Sequence, residues 1–171
     1  MSSTPSTPEP ADASVPDAAT IVGWREWVAL PQADVPWVKA KIDTGARSSA
    51  IHAFDLEVFV PPGEADEWVR FSIHPWQKSD DDHVELSLPV LDTREVRSSN
   101  GQVEKRYAVA LDVVLAGRTL TTVMTLSNRD EMGFRMLIGR EALERGYLVD
   151  SSKSYAGGRP RRSVRKKNWG R

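Results

Sequence analysis

The sequence contains no cysteine, which removes disulfides, thiolate nucleophiles and every cysteine-ligated zinc or iron–sulfur centre. Histidine is almost as scarce, with His52, His74 and His83 alone. No H-E-x-x-H places two of them one helical turn apart with a general base between. The glycine-rich phosphate cradles G-x-x-x-x-G-K-[ST] and G-x-G-x-x-G are absent, so ATP would have to act through a partner enzyme. No window approaches the roughly 18 uncharged apolar residues that a membrane span needs. The opening stretch MSSTPSTPEPADASVPDAAT has neither a basic leader nor an apolar core of the secretory kind. The expectation is a cytoplasmic protein with no membrane contact and no cofactor.

What is present suffices for one domain. The chain has 171 residues, 40 % hydrophobic, with 6 tryptophans, material for a core of about 120–140 residues. A net charge of −1 conceals an asymmetry. Residues 153–171 carry eight basic groups and no acid, leaving 15 basic and 24 acidic groups on residues 1–152. The tail reads either as a solvated appendage or as an arm for a polyanion, RNA or an acidic peptide.

Residues 1–20, with Pro5, Pro8, Pro10 and Pro16 among Ser, Thr and Ala, are expected to be a disordered tail. The domain is expected over 21–152, and 153–171 as a basic disordered tail. Between them the signals are of strand: 21–30, 37–42, 68–73, 84–91, 95–97, 103–115, 119–126 and 134–138. Asn100-Gly101 between two such runs predicts a hairpin, because both residues tolerate the positive φ of a tight turn. In the return strand Tyr107, Val109, Leu111, Val113 and Leu115 share one face. Only 140–145 reads as helix. The fold class is all-β, a barrel or sandwich of many short strands. Trp24, Trp27, Trp37, Trp68 and Trp76 are expected in the core or at an interface between copies.

The chemistry concentrates in Val38-Lys39-Ala40-Lys41-Ile42-Asp43-Thr44-Gly45-Ala46, a strand running into small residues. Asp43 is a carboxylate presented at a strand end; Gly45 turns without a Cβ clash, and the Thr44 hydroxyl can brace the turn. The same three residue types also make ordinary turns. A second element, Phe134 to Leu143 (FRMLIGREAL), is an apolar strand ending at Gly139 and passing into a short helix.

Together these elements resemble the retropepsin-like aspartic peptidases, which pair an Asp-Thr-Gly-Ala loop with a later apolar strand ending in glycine. A flap hairpin lies between the two, in the order of the hairpin at Asn100-Gly101. The longer stretch KIDTGARSSAIHA from Lys41 to Ala53, with Arg97-Ser98-Ser99-Asn100-Gly101, is similar to the bacterial branch often labelled "ATP-dependent zinc protease". That branch includes the RimB-type proteins associated with glutamate ligases. The resemblance covers residues 21–152 and implies a closed β-barrel with a flap and one short C-terminal helix. It implies Asp43, Thr44 and Gly45 as the catalytic loop. Two carboxylates around one water share a proton, one acting as base and one as acid. Only one Asp-Thr-Gly is present, since Asp92-Thr93-Arg94 has arginine where the turn requires glycine. The second Asp43 is therefore expected from a symmetry mate in a homodimer, with Thr44 bracing the opposite loop.

The branch resembled is linked to removal of oligo-glutamate tails from a ribosomal protein. An acidic substrate needs cations in the cleft. Arg47 and Ser48 beside the loop, Arg94, Arg97, Ser99, Asn100, Gly101, Lys105 and Arg106 on the flap, and Arg140 after Gly139 are the candidate substrate-binding residues. Two other readings stand beside this one. A zinc-dependent peptidase would draw on His52, His74 and His83; a non-catalytic module would hold an acidic peptide and dock on the ribosome through the basic tail.

Overall fold

The structure is a computed structural model that describes residues 18–76, 79–97, 101–129 and 133–167. A mixed sheet closes on itself. Strand β1 is Thr20–Val22, β2 Arg25–Leu30, β3 Val35–Ile42 and β4 Ser49–His52. After an excursion the chain returns as β8 (Asp92–Arg97), β9 (Val103–Leu115), β10 (Arg118–Ser127) and β11 (Met136–Ile138). The order β10-β4-β11-β3-β2-β9 is closed by pairing of β9 with β10, giving a barrel that leaves no free edge among those six strands. This is the closed all-β barrel expected from the sequence.

The barrel is filled by Val28, Leu30, Val38, Ala40, Ile42, Ile51, Met124, Leu126, Met136 and Ile138, all buried. Along β9 the expected face is realised: Val109, Leu111, Val113 and Leu115 are fully buried, while Tyr107 is half-buried at the margin. Trp27 is buried and Trp24 is 37 % exposed at the surface; Trp37, Trp68 and Trp76 are half-buried.

The β9–β10 connection is a two-residue turn, Ala116 (φ 50°) and Gly117 (φ 77°), the geometry that matches the strand twist. In the β8–β9 hairpin the last pair is Arg97 with Val103, so five residues intervene. Gly101 has φ 85°, as its predicted place in a turn requires; Asn100 and Ser99 lie outside the described residues.

Segments 49–52 and 54–59, which carried no strand signal in our reading, form β4 and β5 (Phe54–Phe59). Strand β5 joins β6 (Trp68–Ile73) and β7 (Val84–Pro89) in a separate three-stranded antiparallel sheet. Strand 21–30 is not continuous. Gly23 lies so close to the backbone of Lys153 that a Cβ there would sit 2.3 Å from its carbonyl oxygen. The chain breaks there, and β1 pairs instead with β12 (Tyr147–Val149).

The C-terminal boundary also differs from expectation. Residues 153–160, assigned to a disordered tail, are packed on the domain. Glu26 is fully buried and gathers three backbone N–H groups: Gly23 at 2.7 Å, Ala156 at 2.9 Å and Gly157 at 3.1 Å. Tyr155 lies against Trp27, with ring centroids 6.1 Å apart, and Pro160 is buried. A lone carboxylate in a strand reads as a solvated charge; two of its three partners lie 130 and 131 residues away and are invisible to local pattern. The single short helix expected, α1 (Arg140–Leu143), is joined by α2 (Arg162–Lys167) in the basic segment. Residues 1–17 and 168–171 lie outside the described residues.

Glu26→Ala leaves three N–H groups without their acceptor. It should lower unfolding stability by at least ~2 kcal/mol, read in urea titration, and expose 153–160 to limited proteolysis. Wild-type stability and unchanged protease resistance would overturn the clasp.

Candidate active site

Strand β3 runs through the barrel and delivers Asp43 at its end, where the Asp43 N–H donates to the Ile138 carbonyl at 2.9 Å. One carboxylate oxygen of Asp43, Oδ1, accepts the N–H of Gly45 at 2.9 Å and of Ala46 at 3.2 Å. The other oxygen has no hydrogen-bond partner among the described residues. The turn therefore fixes the carboxylate and leaves half of it for chemistry. A Cβ on Gly45 would stand 3.2 Å from Oδ1, which explains the glycine by space.

The loop is braced from beneath by the element the sequence singled out. Strand β11 lies between β3, to which it is parallel, and β4, to which it is antiparallel. Its end brings Gly139 against the chain at Ser48, where a Cβ would meet the carbonyl oxygen at 2.5 Å. The Gly139 N–H donates to buried Ser49 Oγ at 3.0 Å. The next two N–H groups donate to Ala46 and Arg47 carbonyls at 2.7 and 3.0 Å. Arg140 reaches back and donates to the Thr44 carbonyl at 3.2 Å. The Thr44 side chain is exposed.

The predicted cations divide into groups. Arg47 is exposed and paired with Glu141 at 2.8 Å. Arg94 donates to Ser48 Oγ at 3.1 Å, tying the β8–β9 hairpin to the Asp43 loop, and also contacts Asp92 at 3.4 Å. Arg94 stands opposite Arg106 across the hairpin, so the two share a face. Arg106 is paired with Glu104 at 3.2 Å. Lys105 alternates to the other face, over the Tyr107 ring at 5.3 Å, and is not brought to the loop with Arg94 and Arg106. Arg97 ends β8, but its side chain, like Ser99 and Asn100, lies outside the described residues.

Sequence reasoning missed Arg129. It follows the end of β10 in a polar stretch with no periodic signal, just ahead of the strand leading to Gly139. Its backbone N–H donates to Nδ1 of buried His52 at 2.9 Å, and its Nε to the Phe134 carbonyl at 3.4 Å. Burial pulls its pKa below the usual arginine value and Arg106 adds to that, while the Asp43 charge opposes it. Arg129 thus lies within electrostatic reach of both Asp43 and the hairpin.

The histidines do not make a metal centre. His52 Nδ1 is occupied as an acceptor, and His74 Nδ1 donates to the Asp82 carbonyl at 3.0 Å. The two rings stack around Phe54, 6.2 Å apart, rather than converging by their nitrogens. His83 is exposed. Among the described residues no three His, Asp or Glu side chains are grouped to hold an ion, so the residues present do not fit a zinc site.

A closed mixed barrel that presents one Asp-Thr-Gly carboxylate over a strand ending in glycine defines the retropepsin-like class. Residues 21–160 match the RimB-like family model, described as retropepsin-like aspartic endopeptidase RimB, and the chain belongs to that family. Two curated relatives are named "Probable alpha-L-glutamate ligase". The one from Shewanella halifaxensis is 45 % identical over 81 % of this chain, and the one from Parasynechococcus marenigrum is 40 % identical over 79 %. The matched segments make up 30 % and 28 % of those proteins, so the chain corresponds to less than a third of their length. A Legionella pneumophila protein of unknown function has the same fold, with a TM-score of 0.68 at 22 % identity, covering 82 % of this chain and 98 % of its own.

Gly139→Ala forces a methyl group into backbone and should cost about 1–3 kcal/mol of stability, read by thermal melting. A variant with the wild-type melting temperature would refute the close approach described here.

Proposed function

We propose that the protein is an aspartic peptidase acting as a homodimer, with two copies of Asp43 around one water, and that it hydrolyses glutamate-rich chains. The observation that carries the reading is the Asp43 turn: one oxygen caged by two N–H groups, the other without a partner among the described residues, one such loop per chain. Two carboxylates held close cannot both ionise cheaply, so the pair keeps one proton. The ionised member takes a proton from the water as it attacks the peptide carbonyl. The protonated member gives its proton to the developing oxyanion, and later transfer to the amine releases the product. In this reading Thr44, exposed on the loop, braces the loop of the second copy.

Glutamate-rich substrate follows from charge and from the relatives. The domain is acidic overall, yet Arg47, Arg94, Arg106 and Arg140 lie on the loop, behind it, or on the hairpin face tied to it. Guanidinium groups favour carboxylates through paired, charge-assisted hydrogen bonds. Proteins named as glutamate ligases contain a segment resembling this chain, and a hydrolase joined to such an enzyme would act on the bonds it makes. Oligo-glutamate on a ribosomal protein is the substrate that this reading favours.

The test is a peptide ending in several α-linked glutamates, incubated with the protein in EDTA and followed by mass spectrometry. Cleavage should survive the chelator. Asp43→Asn should abolish turnover while sedimentation still reports a dimer. Residual wild-type turnover in that variant, or cleavage only after metal is restored, would overturn the mechanism; a monomeric, fully active protein would overturn the shared site.

A further inference from the structure

The basic C-terminal segment has no part in the reading of the Asp43 site. Residues 159–167 (RPRRSVRKK) hold six cations in nine positions, and no acid occurs anywhere in residues 153–171. Residues 1–152 carry a net −9, so the two parts of the chain are oppositely charged.

The structure distinguishes this segment from a loose tail, because its root is fastened to the barrel. The Lys153 carbonyl accepts the Trp24 N–H at 3.0 Å, and the Tyr155 N–H donates to the Arg25 carbonyl at 2.9 Å. Ala156 and Gly157 are held by Glu26, and Pro160 is buried. Helix α2 starts two residues later. Within it Arg165 is half-buried with its Nε enclosed by protein, whereas Arg159, Arg161 and Arg162 are exposed. The fold thus presents three arginines to solvent from a fixed base.

The charge pattern works against the helix that carries it. The first turn of α2 has no acid, and Arg162 stands at its positive end, where an anion is favoured. Arg162 and Arg165, three positions apart, are like-charged neighbours. An external polyanion relieves both conflicts. A membrane surface fits poorly, since Pro160 and Val164 are the only apolar residues of the nine and an interfacial helix needs an apolar face. Between an acidic peptide and a nucleic acid, charge density decides. An extended glutamate chain offers about one charge per 3.3–3.6 Å. A nucleic-acid duplex offers about one per 1.7 Å of its axis, with condensed counter-ions to release. The planar fork of arginine also matches phosphate oxygens.

We propose that residues 159–167 form a docking arm for the phosphate backbone of double-stranded RNA, engaged without regard to base sequence. The charge argument stands apart from the peptidase. Only the choice of RNA over DNA rests on that reading, in which the substrate is a ribosomal protein.

The experiment follows a fluorescently labelled 20-base-pair RNA by anisotropy as the full chain is added at several salt concentrations. Wild type should bind with an affinity that falls steeply with salt. The triple variant Arg159→Gln, Arg161→Gln, Arg162→Gln should bind at least ~10-fold more weakly near about 0.1 M salt. Its log–log salt slope should be flatter by about 2–3, one phosphate contact per arginine. The corresponding triple lysine variant, which keeps the charge, should keep the slope. All three arginines are exposed, so the urea midpoint should not move. Binding indifferent to the triple glutamine change would overturn the arm. Tighter arm-dependent binding of oligo-glutamate would assign the segment to an acidic chain instead, and tighter binding of the same duplex as DNA would overturn the choice of RNA. Cleavage of the glutamate peptide by the triple glutamine variant should match wild type. Arginine-dependent RNA binding without any wild-type cleavage removes the peptidase reading and keeps the arm; the reverse result removes the arm alone.

Discussion

The site depends on a backbone approach that only glycine permits. Where Gly139 passes Ser48, a methyl group would lie 2.5 Å from a carbonyl oxygen, far inside van der Waals contact. Because nothing fills that space, the end of β11 can slide beneath the Asp43 turn and hand it a ladder of hydrogen bonds. Ile138 holds Asp43, Gly139 holds Ser49, and Arg140 and Glu141 hold Ala46 and Arg47. Asp43 itself then needs no strained conformation: it is an ordinary strand end clamped from below. The barrel supplies rigidity, but the glycine decides that rigidity reaches the carboxylate.

Electrostatics around that carboxylate are balanced rather than simply positive. Most of the arginines are matched locally by acids, and exposed pairs of this kind are weak and easily exchanged. Arg129 differs in being partly desolvated, where each hydrogen bond is electrostatically stronger.

Much of this was legible in the sequence because the relevant signals are local. Asp43-Thr44-Gly45-Ala46 after an apolar strand, and Met136-Leu137-Ile138-Gly139 before a helix, announce themselves within ten residues each. Alternation along 103–115 placed the core face correctly. What escaped depends on distant partners. Strand β4 hid because all four of its residues are buried, so Ser49-Ala50-Ile51-His52 shows no alternation. Gly23 broke a strand that looked continuous, for the sake of a backbone more than a hundred residues later. Lys105 resembled Arg106 in composition, yet the two-residue period of a strand sends them to opposite faces. Arg129 had no pattern at all; only the fold brings it against His52 and Phe134.

The clasp on residues 153–160 carries a consequence for how the molecule comes into being. Glu26 waits for two of its three partners, 130 and 131 residues away, β1 pairs with β12, and the bond between Gly139 and Ser49 spans 90 residues. Such separations place the chain among slow, high-contact-order folders, for which loop closure must precede any reward. During synthesis the Asp43 turn emerges well before the strand that steadies it, since Gly139 lies 90 residues beyond the Ser49 side chain it holds. A nascent chain thus carries its aspartate long before it carries the strand that braces it.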